Sequence, residues 1–155
     1  MRNNKYTAYI ERLPYGRDFL FVEGIDHLTD AEIRGYFTFK KDWPVFSDHF
    51  PANPVVPGVI LIESAAQIAL GIHGLFLEEQ TSGEVQNGQI AFSEVQMEFL
   101  KPLYPADKLI VIGSPVYYRF NKLKTKVQLF NQQEEMIGRG VMSGMLYTEK
   151  HIYRV

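Results

Sequence analysis

From Gly58 to about Phe76, apolar residues occupy nearly every position, all the way round a helical wheel. Such a helix has no wet face and has to be wrapped on all sides. Pro57 suits the start of a helix, because the N–H it lacks would find no partner in the first turn. The pattern therefore predicts one central apolar helix over about 58–76. The 19 residues of 59–77 are barely long enough to cross a bilayer, and Glu63, Gln67 and His73 interrupt them, so a helix enclosed by protein is the better reading than a membrane span.

Around this helix the period changes to two. Ile33, Gly35, Phe37 and Phe39 alternate with Arg34, Thr38 and Lys40, and Val127 and Leu129 alternate with Lys126 and Gln128, as expected of half-buried strands. Further strands are predicted at 18–22, 89–100, 108–120 and 136–147, divided by turn chemistry at Gly88, 102–107 and 131–135. Apolar parity switches between Ile90, Phe92 and Val95, Met97, Phe99, which places a β-bulge near Ser93 and Glu94 that would curl the sheet. A strand pair, one enclosed helix and four antiparallel strands describe an α+β fold in which a curved sheet wraps a central helix. No linker, repeat or low-complexity run divides the chain, and 1–155 reads as a single domain.

Composition narrows the function. Aromatic residues make up 14% of the chain, which suits a β-rich core or an apolar ligand tunnel. Trp43, Phe46, Phe92 and Phe99 could serve either purpose, core packing being the simpler. With no cysteine and four scattered histidines, at 27, 49, 73 and 151, no metal site is expected. The net charge of -2 gives no global field for nucleic acid. Lys101, Lys108, Arg119, Lys122, Lys124 and Lys126 concentrate positive charge in one stretch, which reads first as a solvated face and second as a docking surface. The first residues lack the apolar core of a signal peptide, so a cytoplasmic protein is expected.

Glu63 is the chemical anomaly, the sole charge among Ile60, Leu61, Ile62, Ala65 and Ala66. Burial of an unpaired carboxylate costs several kcal/mol, and desolvation would raise its pKa toward the range useful to a general acid. The alternative is a partner for a structural cation. Gln67 falls on the same helical face, where its amide could orient Glu63 or satisfy backbone at a helix-sheet contact. His49 sits in the sequence DHFPANPVVPG, stiffened by Pro51, Pro54 and Pro57 just before the helix, and is a candidate base. At the helix start, the N–H groups of Gly58 and Val59 are free to form an oxyanion site.

His49-Phe50-Pro51, then Pro54-Val55-Val56-Pro57-Gly58-Val59, then Ile62-Glu63-Ser64-Ala65-Ala66-Gln67 resembles the signature of FabZ-type 3-hydroxyacyl-acyl-carrier-protein dehydratases. Leu13-Pro14 with Phe19-Leu20-Phe21-Val22 is similar to that family's N-terminal motif, and 99–103 with 105–107 to its strand and turn after the helix. The resemblance implies a hot-dog fold, a homodimer or higher assembly with two active sites, no cofactor, and an acyl chain delivered by acyl carrier protein on a phosphopantetheine arm. It implies that His49 takes the α-proton, that Glu63 protonates the departing β-hydroxyl, and that each site is shared, with His49 from one chain and Glu63 from the other. The isomerising relatives carry Asp at the acid position, so Glu63 implies simple dehydration. One departure is Ala52, followed by Asn53, where the family usually has Gly. His27, His73 and His151 are left without a catalytic role. The alternatives are a thioesterase of the same fold, or a non-catalytic subunit that binds acyl carrier protein; a DNA-binding regulator is disfavoured because no residues are spare for such a module.

Overall fold

In a computed structural model, which describes residues 5–85 and 87–148, six strands form one antiparallel sheet around the apolar helix. The strands are β1 (Gly24–Leu28), β2 (Ile33–Thr38), β3 (Gly88–Phe99), β4 (Lys108–Arg119), β5 (Lys122–Phe130) and β6 (Met136–Thr148), in the spatial order β1-β2-β4-β5-β6-β3. The helix runs between β2 and β3 as α2 (Gly58–Ala66), a π-helical stretch (Gln67–Ile72) and α3 (His73–Ser82), while a short α1 (Thr7–Glu11) precedes the sheet. This is the hot-dog architecture.

The helix is long and apolar enough to cross a membrane, but the sheet buries most of it. Ile68, Ala69, Leu70 and Ile72 are fully buried and face the inner row of Ile33, Leu109, Val111, Leu123, Val127 and Leu129. Close approach depends on Gly113, where an added Cβ would lie 2.8 Å from the Cβ of Ala69. Beyond Phe76 the helix continues for another six residues as a polar turn and stops at Gly83, whose φ of 73° is left-handed. The expected end near Phe76 was short because apolarity measures the enclosed part of a helix, not its length.

Strand β3 shifts register between Phe92 and Glu94, so Ser93 is the expected bulge. Two other expectations fail. The strand placed at 18–22 is a 3-10 turn (Arg17–Phe19) followed by extended chain with no ladder, and the sheet starts instead at Gly24. The helix replaces the missing ladder with side chains: Gln67 Oε1 accepts the Phe21 N–H at 2.8 Å, and Ser64 Oγ donates to the Phe21 carbonyl at 2.7 Å. Apolar alternation cannot tell these two kinds of partner apart. At the far end, Phe120 and Asn121 both have positive φ and form a two-residue hairpin turn, so β4 ends before Phe120, whose side chain is 92% exposed.

The basic residues also separate. Lys101 pairs with Glu135 and Lys108 lies over the Tyr36 ring, both at the end of the sheet that carries the 131–135 turn. Lys122, Lys124 and Lys126 alternate with buried Leu123, Thr125 and Val127 along β5 and point outward from the sheet. Arg119 stacks on Tyr117 beside the opposite turn. One stretch of sequence thus becomes two ends of a sheet because β4 and β5 run in opposite directions.

Loss of the side-chain ladder should loosen 19–21 selectively. Ser64→Ala and Gln67→Ala each strand buried backbone groups of Phe21, at a cost of about 1–3 kcal/mol per group. The check is urea unfolding together with hydrogen exchange, in which the Phe21 amide should lose protection in Gln67→Ala and keep it in Ser64→Ala.

His73 makes folding sensitive to acid. It is fully buried, it donates from Nε2 to the Thr29 carbonyl at 2.7 Å, and among the described residues no donor reaches Nδ1. Burial pulls its pKa from 6.5 down to about 4, against weaker opposing effects of Thr29 and Asp30. Below pH 6.5 the unfolded chain therefore takes up a proton that the folded chain refuses. Stability is complete above that pH and should fall by roughly 3 kcal/mol as pH drops through 4. Denaturant titrations between pH 7 and 4 should show this slope in the wild type and a flatter one in His73→Gln.

Candidate active site

His49 lies on the loop between β2 and the helix, just after a 3-10 turn (Pro44–Ser47). The loop is held by backbone hydrogen bonds on both sides of the histidine: His49 N–H to the Val45 carbonyl at 2.9 Å, and Val55 N–H to the His49 carbonyl at 3.0 Å. The His49-Phe50 peptide bond is cis, and the two rings stack at 4.2 Å. Neither Ala52 nor Asn53 has a positive φ, so the loop makes no demand there that only glycine could meet. His49 Nδ1 lies 3.1 Å from the Val55 carbonyl oxygen. A carbonyl can only accept, so Nδ1 is the donor, and in the neutral ring the lone pair is on Nε2.

Glu63 is half-buried, one turn into α2. Gln67 Nε2 donates to Glu63 Oε1 at 3.0 Å and to the Phe19 carbonyl at 2.9 Å. With its Oε1 committed to the Phe21 N–H, this fully buried amide has one possible orientation. Gln67 thus bonds to both partners that the sequence had left open, the carboxylate and the backbone. Among the described residues no separate structural cation pairs with Glu63.

One further side chain feels the charge of Glu63. Tyr15 is half-buried against the core, 6.0 Å from the Phe19 ring, and burial followed by the charge of Glu63 pushes its phenol up to about 12. Sequence reasoning passed over Tyr15. The only signal was its place directly after Leu13-Pro14, and no periodicity reports a side chain that crosses from an irregular segment to a helix.

The helix start completes the arrangement. Helix geometry leaves the N–H groups of Gly58 and Val59 without intrahelical acceptors, the Pro57 carbonyl being the first to accept, from Ile60 and Leu61. Phe99 lies over this end, and a Cβ on Gly58 would stand 3.1 Å from its ring. The Val56 N–H bonds to the Leu103 carbonyl at 2.8 Å and ties the same end to the chain after β3.

Of the other aromatics considered for a tunnel, Trp43 and Phe46 pack with Phe21 and Phe39 in the core, while Phe92 is 43% and Phe99 44% exposed on β3. His27 is exposed, and His151 lies outside the described residues. Within one chain, no hydrogen bond or ion pair joins His49 to Glu63 among the described residues.

Residues 13–125 match the FabA-like domain. The 3-hydroxyacyl-[acyl-carrier-protein] dehydratase FabZ of Sulfurovum sp. is 33% identical over 116 residues, covering 74% of this chain and 73% of the relative. The enzyme of the same name from Thermus thermophilus is 34% identical over 79% of this chain and 84% of its own. Among solved structures, the dehydratase heterocomplex ApeI:P from Xenorhabdus doucetiae superimposes with a TM-score of 0.69 at 14% identity, covering 92% of this chain and 93% of that one. A hypothetical thioesterase from Streptococcus pneumoniae reaches 0.58 at 15% identity, over 81% of this chain and 85% of its own. At such identities the two structures speak for the fold, while the matched domain and the sequence relatives speak for descent. The chain belongs to the FabA-like family and is related within it to the FabZ dehydratases.

Proposed function

We propose that this chain is a cytoplasmic 3-hydroxyacyl-acyl-carrier-protein dehydratase, working as one hot-dog domain in a homodimer and forming trans-2-enoyl thioesters in fatty-acid or polyene-type chain elongation. The observation that carries the reading is the hydrogen bonding of two side chains: His49 turns Nδ1 to the Val55 carbonyl, which leaves Nε2 as the base of the neutral ring, and Glu63 has a carboxyl held in place by Gln67. One is a base and the other a tethered acid.

Elimination needs both together, because a thioester α-proton is weakly acidic and hydroxide is a poor leaving group. His49 Nε2 removes the α-proton, and the electron pair of that C–H bond becomes the second bond between the α and β carbons. The β carbon–oxygen bond breaks, and its electron pair leaves with the oxygen, which takes the Glu63 proton and departs as water. The thioester oxygen gains charge during the step and is held by the N–H groups of Gly58 and Val59 at the positive end of the helix dipole. The proton gained by His49 and the one lost by Glu63 are rebalanced through solvent. No cofactor or metal enters the scheme. A thioesterase would instead direct water at the carbonyl and release free thiol, and mass spectrometry of products from 3-hydroxyacyl carrier proteins of several chain lengths distinguishes the two.

A shared active site is supported by the lack of any hydrogen bond or ion pair between His49 and Glu63 among the described residues of one chain. It is also supported by apolar side chains left in solvent: Phe50, Val59, Phe92, Val95 and Phe99 are between 42% and 72% exposed. Phe92, Val95 and Phe99 lie on β3, an edge strand with one row of backbone groups unpaired, and Phe99 adjoins the helix start, so a second copy would cover both.

His49→Ala and Glu63→Gln should each lower turnover by at least about 100-fold while remaining folded, since each removes one proton-transfer partner. Near-normal dehydration by either variant would refute the assignment.

Sharing is tested by complementation. The two inactive variants, unfolded together and refolded, form about half heterodimers if pairing is random, each with one intact and one doubly damaged site. Activity should return to roughly a quarter of the wild-type value. Verified heterodimers without activity would place both residues in one site of one chain.

A further inference from the structure

We propose that the hairpin tip between β4 and β5 docks on an anionic lipid bilayer, with Phe120 as the inserted side chain and Arg119, Lys122 and Lys124 as a cationic collar. This stands apart from the dehydratase reading, which uses none of these residues.

Two features of the tip work against the fold. Two-residue hairpin turns with positive φ at both positions favour Asn, Asp and Gly, yet the first position here is Phe120, with a φ of 52°. A left-handed backbone is unfavourable for a bulky side chain, and packing does not offset it, because Phe120 is 92% exposed. Directly behind the turn, Arg119 and Lys122 stand opposite each other in the ladder, where like charges repel. Neither choice serves the hairpin, so both point to something outside the chain.

The neighbouring strands leave the positive charge unanswered. Lys124 stands opposite Tyr117 of β4, while on the other side Lys122 and Lys124 stand opposite Met145 and Ser143 of β6. Among the described residues no carboxylate forms an ion pair with Arg119, Lys122 or Lys124. Glu78, which reaches β4 from the helix, accepts the Tyr118 phenol instead. Two tyrosines flank the tip. The Arg119 guanidinium carbon lies 4.4 Å from the centre of the Tyr117 ring, and the Leu146 N–H bonds to the Asn121 carbonyl at 2.7 Å, which sets exposed Tyr147 beside the turn.

An anionic bilayer complements both halves of this surface. Its headgroup phosphates attract the cations, each worth about fivefold in affinity. A protruding phenylalanine enters the acyl boundary, and tyrosines suit the level of the headgroups. A protein partner would need a pocket matched to one projecting ring, whereas lipid closes around it. The tip lies at the end of the sheet away from the 131–135 turn, and the helix start of the same chain is tied to the chain after β3 at that other end.

The test is sedimentation of the full-length protein with vesicles of phosphatidylcholine and phosphatidylglycerol in roughly equal parts, compared with phosphatidylcholine alone. The wild type should sediment with the first and not the second, and about 1 M salt should release it. Lys122→Gln combined with Lys124→Gln should lower the affinity about 25-fold. Phe120→Asn should lower it at least about 10-fold while keeping or raising the thermal transition, because asparagine suits the left-handed position. In Phe120→Trp, the emission should shift to the blue with anionic vesicles only, Trp43 being a constant background packed against the core. None of these readouts depends on enzymatic activity. Absence of sedimentation, equal binding to both vesicles, unchanged binding in Phe120→Asn, a lower thermal transition in that variant, or no blue shift would each overturn the proposal. So would retention on immobilised polyglutamate without vesicle binding, which would give this surface to an acidic protein.

Discussion

A single primary amide ties the central helix to the N-terminal segment. Gln67 is fully buried, at the point where the central helix passes from α to π geometry, and all three of its described hydrogen bonds are specific: one accepted from Phe21, one donated to Phe19 and one donated to Glu63. A buried amide left partly unsatisfied is costly, so the fold is constrained to bring the N-terminal segment against the helix at this place. That contact carries the aromatic cluster of Phe19, Phe21, Phe37 and Trp43 with it and closes the core beyond the end of the sheet. A π-helical stretch inside an α-helix is often found at a functional site, and here it begins at Gln67, which donates to Glu63.

Much of the architecture was legible because it follows from solvent. An all-round apolar helix must be enclosed, and period-two alternation from Ile33, in 89–100 and in 126–129 must face one side of a sheet inward. Even the bulge at Ser93 was readable, since a change of apolar parity within one strand has few other causes. What escaped was decided by partners and not by burial. The segment 18–22 has the side chains of a strand, yet its backbone bonds to Ser64 and Gln67. Conversely, β1 holds exposed Asp26 and His27 side by side across a register shift and so shows no alternation to find.

The site divides in the same way. His49, Glu63, Gln67 and the helix start could be named because they fall within a short, proline-stiffened stretch whose spacing is fixed by one loop and one helix. Tyr15 could not, because its relation to Glu63 depends on how an irregular segment crosses the helix. The structure also explains why Ala52 can stand where the family usually has glycine: the loop turns through hydrogen bonds between Phe50 and Asn53 and between His49 and Val55, without a left-handed residue at Ala52.

The order of the strands has a consequence for synthesis. The central helix is complete at Ser82, but β3, which directly follows it, pairs only with β6, in a register that joins Gly88 to Thr148. While β6 is unmade, β3 has no partner within the chain, and part of the most apolar helix in the protein is left without its cover. Long-range pairing of this kind is slow to form and exposes the nascent chain to aggregation. The same topology that encloses the helix in the finished protein therefore leaves part of it uncovered until the last strand has been made.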